Sequence, residues 1–222
     1  MKKLLPIAIL AATASLSFSQ GYVAFFNQGT TLFSTNTIGA SSPAAAGGPV
    51  GSYYFALLVA PTTQTTVDDS LAGWSFSGSY ATNAPATGRL VGYNTTDGSF
   101  GVIVNGYGPT ATANFVVVGW SANIGTTLGQ ALAFWNNGHP YDDASAYFGY
   151  SSVTLNVPLA PLGGPYNNPF GLYPGAISGL LLSARLPEPS ALTLGSLGAT
   201  IALISRRRSK YKKSGAAPSD RA

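Results

Sequence analysis

The chain of 222 residues contains no cysteine and a single histidine, and only 8% of its residues are charged. Each scarcity excludes something. Without thiols there is no disulfide framework, so a fold exported to an oxidising compartment must hold by packing and hydrogen bonds alone. One histidine, His139, with no cysteine cannot assemble the usual zinc set of several imidazole or thiolate ligands. A charged fraction about a third of the ~25% usual for soluble domains speaks against an ordinary cytosolic enzyme. Disorder is excluded by the opposite abundance, because 45% hydrophobic and 12% aromatic residues suffice for a core.

The net charge of +4 conceals a division along the chain. Lys2 and Lys3 lie at one end and the basic tail from Arg206 at the other, while the stretch between carries Arg89 and Arg185 against Asp68, Asp69, Asp97, Asp142 and Asp143. The body is therefore weakly acidic. Nucleic-acid binding needs cations spread over a folded face to neutralise phosphates, and two basic residues do not supply that.

Both ends read as addresses. Met1-Lys2-Lys3, the apolar run Leu4 to Leu16 and then Ser17-Phe18-Ser19-Gln20 have the three parts of a secretory signal peptide, which predicts cleavage between Ser19 and Gln20. Residues 1–19 are then the signal and 20–186 a β-rich extracellular domain. At the other end Leu186-Pro187-Glu188-Pro189-Ser190 precedes an apolar run to Ser205 and the cluster Arg206-Arg207-Arg208. A helix over 190–205 reaches about 22 to 24 Å, short of the roughly 30 Å hydrocarbon core, so it spans only with snorkelling arginines or local thinning. The arginines keep the tail, 209–222, on the cytoplasmic side and leave the body outside.

This ending, Pro187-Glu188-Pro189 followed by a short apolar helix and Arg206 to Arg208, resembles the PEP-CTERM sorting domain of bacterial exported proteins. The resemblance covers residues 187–208. It implies recognition by an exosortase, a membrane enzyme resembling cysteine transpeptidases, and release or transfer to the surface of cells that make exopolysaccharide. The sequence departs from the family's common pattern in opening with Leu186 where valine is frequent and in its longer tail from Ser209.

Between the ends, apolar residues recur at period two. Trp74 to Tyr80 alternates rings with serines, the pattern of a strand with its ring face buried and its serine face wet, and Tyr22–Phe26, Ser52–Ala60, Arg89–Tyr93, Gly101–Val104, Phe115–Ser121, Ser151–Val157 and Ile177–Leu186 read as further strands. Asp97-Gly98, Asn105-Gly106 and Asn137-Gly138 mark turns. The pattern predicts an all-β fold, an antiparallel sandwich or jelly roll, with a transmembrane-like helix after it. One short helix is expected over Thr126–Trp135, where Leu128, Ala131, Leu132 and Trp135 share a face and Thr126 or Thr127 can cap the start. Gly39–Gly51 reads as a mobile loop, and the proline-rich stretch 158–175 as an irregular segment lying on the core through Tyr166, Phe170 and Tyr173.

Candidate chemistry is thin. The pairs Asp68-Asp69 and Asp142-Asp143 invite a glycosidase reading, but that mechanism needs carboxyls facing across a cleft, and adjacent acids are commonly turn formers. Asp142 and Asp143 could also contribute to a calcium site, though no ligand-loop motif accompanies them. His139 near these acids is proximity in sequence, not a triad. Trp74, Trp120 and Trp135 read as core on their patterns, yet any of them left exposed could stack on a sugar ring. The expectation is a non-enzymatic surface or extracellular-matrix protein with no cofactor and no metal, whose partners are the export machinery, an exosortase and exopolysaccharide or matrix. A carbohydrate-binding module is the alternative, distinguished by two rings exposed side by side, and a glycoside hydrolase ranks third.

Overall fold

The computed structural model describes residues 20–37, 41–93, 95, 98, 100–136, 145–171 and 175–184. All of these belong to one unit, Met1–Arg185. It is mostly β with one helix. The strands are β1 (Gly21–Ala24), β2 (Phe33–Asn36), β3 (Ala44–Ala45), β4 (Tyr53–Ala60), β5 (Ser75–Asn83), β6 (Leu90–Gly92) and β7 (Gly101–Val104). After these come β8 (Thr112–Ser121), α1 (Leu128–Asn136), β9 (Tyr147–Tyr150), β10 (Thr154–Pro158) and β11 (Leu180–Ala184).

The main sheet runs β3-β2-β11-β9-β8-β4-β5-β6, with β10 beside β9 on the same edge of β8, and β1 and β7 form a second, antiparallel pair. Its middle is the long antiparallel ladder of β4 and β8, in register from Tyr53↔Ser121 to Ala60↔Asn114. Tyr53–Ala60 of β4 and Phe115–Trp120 of β8 are apolar without interruption because both faces are covered there. Phe55, Leu57, Val59, Ala113, Phe115 and Val117 point into the larger core with Val23, Phe25 and Val102 of the β1–β7 side. Ala56, Leu58, Val116, Val118 and Trp120 point the other way, into a core that Leu128 and Ala131 of α1 complete. Gly119 leaves room above β8 for Phe55, Leu180 and Leu182, where a Cβ would collide with all three.

The helix begins as expected, with a capping box. The Gln130 N–H donates to Thr127 Oγ1 at 3.3 Å while Gln130 Oε1 accepts from the Thr127 N–H at 3.1 Å and the Thr126 N–H at 2.9 Å.

Several expectations change. One pairing is parallel: β11 lies beside β2 from Leu180↔Phe33 to Ser183↔Asn36, so the sheet is mixed and not purely antiparallel. β2, β3 and β9 were not foreseen as strands; β3 falls inside the stretch 39–51 expected to be a loop. The ring-and-serine alternation of β5 is present but its faces are reversed. Ser77 and Ser79 are buried, while Phe76 and Tyr80 are half-buried. The small serines admit β7, and Ser79 Oγ donates to the Ile103 carbonyl at 2.8 Å. Of the tryptophans, Trp120 is wholly buried, but Trp74 and Trp135 are half-buried at the margin of the helix-side core. In the proline-rich stretch, Phe170 is buried and Tyr166 packs on Tyr22 at 6.1 Å; Tyr173 lies outside the described residues.

Three buried asparagines tie this cysteine-free fold together. Asn83 accepts from the Gly51 and Tyr53 N–H groups at 3.0 and 3.1 Å and donates to the Gly48 and Pro49 carbonyls at 3.2 and 2.9 Å. Asn27 donates to the Thr31 and Gly88 carbonyls at 2.8 and 2.7 Å and accepts from the Leu90 N–H at 2.8 Å. Asn114 donates to the Thr62 and Gln64 carbonyls at 3.2 and 2.8 Å and accepts from the Asn156 N–H at 2.7 Å. Each one ties backbone groups of distant segments together through a side chain that both donates and accepts.

Candidate functional site

The most distinctive surface is built by an irregularity in β5. Ala56 of β4 pairs with Tyr80 and Leu58 pairs with Phe76, so three residues of β5, Ser77, Gly78 and Ser79, stand opposite the single Leu57. A bulge of this kind needs one residue in a conformation that side chains resist, and Gly78 supplies it at φ +95°. The Ser77 carbonyl accepts from the Asn105 N–H at 2.9 Å, so the distortion leaves that group paired with the chain just after β7.

The consequence is aromatic. Residues i and i+4 on a regular strand are about 13 Å apart. Here the Phe76 and Tyr80 rings lean together over Gly78 with centroids 4.7 Å apart. Beyond Tyr80, on the far side of β5, Tyr93 extends the row: its ring lies 6.1 Å from that of Tyr80 and within 9° of parallel. The backbone sets that pairing, because the Tyr93 N–H donates to the Tyr80 carbonyl at 3.1 Å. Tyr80 is held from the other side, its hydroxyl accepting the Leu128 N–H at the start of α1 at 3.1 Å and its ring set edge-on to Trp120 at 6.4 Å. Tyr93 is 51% exposed. Partial burial, and then the neighbouring Tyr80 and Tyr54 hydroxyls, raise its pKa above the usual tyrosine value. Like any phenol it is an uncharged hydrogen-bonding group at neutral pH.

Of the acids proposed for chemistry, the described pair Asp68 and Asp69 is engaged elsewhere. The Asp68 carboxylate accepts from Ser70 Oγ at 2.6 Å and the Ser70 N–H at 2.9 Å, a local turn that lowers its pKa. Asp69 accepts from the Tyr150 hydroxyl at 2.8 Å, and its carbonyl accepts from Trp135 Nε1 at 3.1 Å. Trp135 stacks on Phe148 at 4.3 Å, and Trp74 Nε1 donates to the Thr66 carbonyl at 3.1 Å. Both half-buried indoles are thus tied to the loop that precedes β5. Among the described residues, no three His, Asp or Glu side chains gather into a metal-binding group.

Gln20 is described and its side-chain amide donates to Asn105 Oδ1 at 3.3 Å. Ser19, His139, Asp97, Asp142, Asp143, the motif Pro187, Glu188 and Pro189, the stretch 190–205 and Arg206, Arg207 and Arg208 lie outside the described residues. Among the described residues no helix is long and apolar enough to cross a membrane. No protein-family model, curated protein or solved structure matches the chain. The sequence did contain one signal for the ring row, the glycine in the middle of an alternating strand, which marks a bulge. Tyr93 carried no such signal, because its partner is set by the pairing of β5 with β6.

Proposed function

We propose that the protein is an exported cell-surface or extracellular-matrix component without catalytic activity. A signal peptide over 1–19 takes it out, and a PEP-CTERM-like signal over 187–208 presents it to an exosortase. The observation that favours this is that the described β domain, from β1 at Gly21 to β11 at Ala184, fits between the two addresses read in the sequence. The main sheet and the β1–β7 pair facing it across the larger core favour a sandwich over a jelly roll. Against hydrolysis stands the engagement of Asp68 by Ser70 and of Asp69 by Tyr150. One feature favours the second reading, a carbohydrate-binding module: the parallel rings of Tyr80 and Tyr93, the latter exposed.

Intact mass of the protein recovered from the cell exterior tests the reading. The expected species begins at Gln20 and ends within 187–190. A full-length species still carrying Arg206 to Arg208 on the washed surface would overturn the sorting step.

A further inference from the structure

We propose that Phe76, Tyr80 and Tyr93 form a shelf that binds the apolar face of uncharged pyranose units in a polysaccharide chain. This rests on the second reading above, a carbohydrate-binding module, and deepens it by naming the ligand class; it does not depend on where the protein resides.

Three observations carry it. The first is the bulge itself. A regular β5 would separate Phe76 from Tyr80, and the strand instead places Gly78 at φ +95° to bring the rings to 4.7 Å. Bulges of this sort re-aim side chains, and they concentrate beside binding sites. The second is preorganisation. Tyr80 is fixed by the Leu128 N–H and by Trp120, and Tyr93 is fixed through its own backbone to Tyr80. A rigid ring row loses little freedom when a ligand settles on it.

The third is charge. Among the described residues only Asp68, Asp69 and Arg89 are ionisable to full charge near neutral pH, and both aspartates are engaged in the contacts given above. A phosphate or uronate ligand calls for clustered cations, of which Arg89 is the single one among the described residues, whereas an uncharged sugar requires none. Aromatic faces carry partial negative charge and attract the partly positive C–H groups of a pyranose ring. The Tyr93 hydroxyl can donate to and accept from sugar hydroxyls at the rim. A row of three rings, not one pocket, suits a linear polymer with repeated faces.

The test uses the full chain, purified and applied to immobilised uncharged polysaccharides (β- and α-glucans, a galactan and a mannan) alongside a uronic-acid polymer. At least one uncharged polymer should retain the protein. Tyr93→Ala should weaken that retention about tenfold or more, Tyr93→Phe should leave most of it, and Phe100→Ala should change nothing. Phe100 is the control because it is another exposed ring, at 50% exposure, outside the row. Circular dichroism of Tyr93→Ala must match the parent, as an exposed side chain predicts. Retention by no uncharged polymer, retention only by the uronate, or retention that survives Tyr93→Ala would each overturn the proposal. So would concentration-dependent dimers abolished by Tyr93→Ala without any sugar binding, since the shelf would then serve a second copy of the chain.

Discussion

Replacing Asn83 tests whether buried amides do the stapling that disulfides perform in other folds. The side chain is 1% exposed and makes four hydrogen bonds to the backbone of residues 48–53. At about 1 kcal/mol net for each bond, Asn83→Ala loses at most about 4 kcal/mol. The full sum is not expected. Gly48 and Pro49 are exposed, so their carbonyls recover water, while the Gly51 and Tyr53 N–H groups sit in half-buried surroundings and recover less. The expected loss is about 2 to 3 kcal/mol, or roughly 4–12 °C in Tm.

Urea denaturation followed by tryptophan fluorescence measures this directly, with a lower midpoint and an unchanged slope if only the native state is affected. Asn83→Asp separates the two halves of the clamp. Its first oxygen still accepts from Gly51 and Tyr53, but the second faces the Gly48 and Pro49 carbonyls with no proton to give. At neutral pH it should be at least as unstable as the alanine variant, and the deficit should shrink as acid restores a donor. If both variants stay within about 0.5 kcal/mol of the parent, as ordinary surface changes do, the stapling argument is wrong.

Trp120→Ala should cost about 3 to 5 kcal/mol, whereas Trp74→Ala should cost clearly less, because one ring is wholly buried and the other half-covered; paired urea curves check the order. Gly78→Ala should cost about 1 to 3 kcal/mol through strain at positive φ and should weaken any retention on uncharged polysaccharide along with it. Tyr93 has its pKa raised in the folded state, so the stability it contributes is complete below the ordinary tyrosine value and is lost as pH rises through the higher folded value. Spectrophotometric titration of Tyr93→Phe should therefore lack one late-ionising phenol present in the parent. Neutralising Arg206, Arg207 and Arg208 together should reduce membrane retention of the precursor, measured by fractionation, because a run this short depends on those charges to hold its position.

What could be read from the sequence follows from how local each cause is. Ser52–Ala60 and Phe115–Ser121 could be read as strands, but not their two covered faces, which show as the unbroken apolar stretches Tyr53–Ala60 and Phe115–Trp120 and not as alternation. The helix was visible because its apolar face and its Thr127–Gln130 cap lie within one short segment. β2 was not: in Phe33-Ser34-Thr35-Asn36 only Phe33 is buried, and the strand exists because β11 arrives beside it from far along the chain. The faces of β5 were inverted for a related reason. Hydrophobicity puts rings inside, but the serine side is where β7 passes closely, and only small residues admit it. The ring row needed both the Gly78 bulge and the β5–β6 register, of which sequence supplies the first as a hint and the second not at all.

The same amide chemistry that the lack of cysteine demands also shapes what the surface can do. Asn27, Asn83 and Asn114 together hold segments from residue 27 to residue 156 against one another, each through a planar group that donates and accepts at once. Such staples act only in the native state, in contrast to a disulfide, which also constrains the unfolded chain, and they need neither oxidant nor charge. A chain held this way can cross a membrane unfolded and close afterwards without redox help. With its described charges reduced to Asp68, Asp69 and Arg89, the folded surface meets its surroundings through hydroxyls, amides and rings. Those groups suit polymers of hydroxyls better than ions, which is the chemistry that the proposed ring shelf would use.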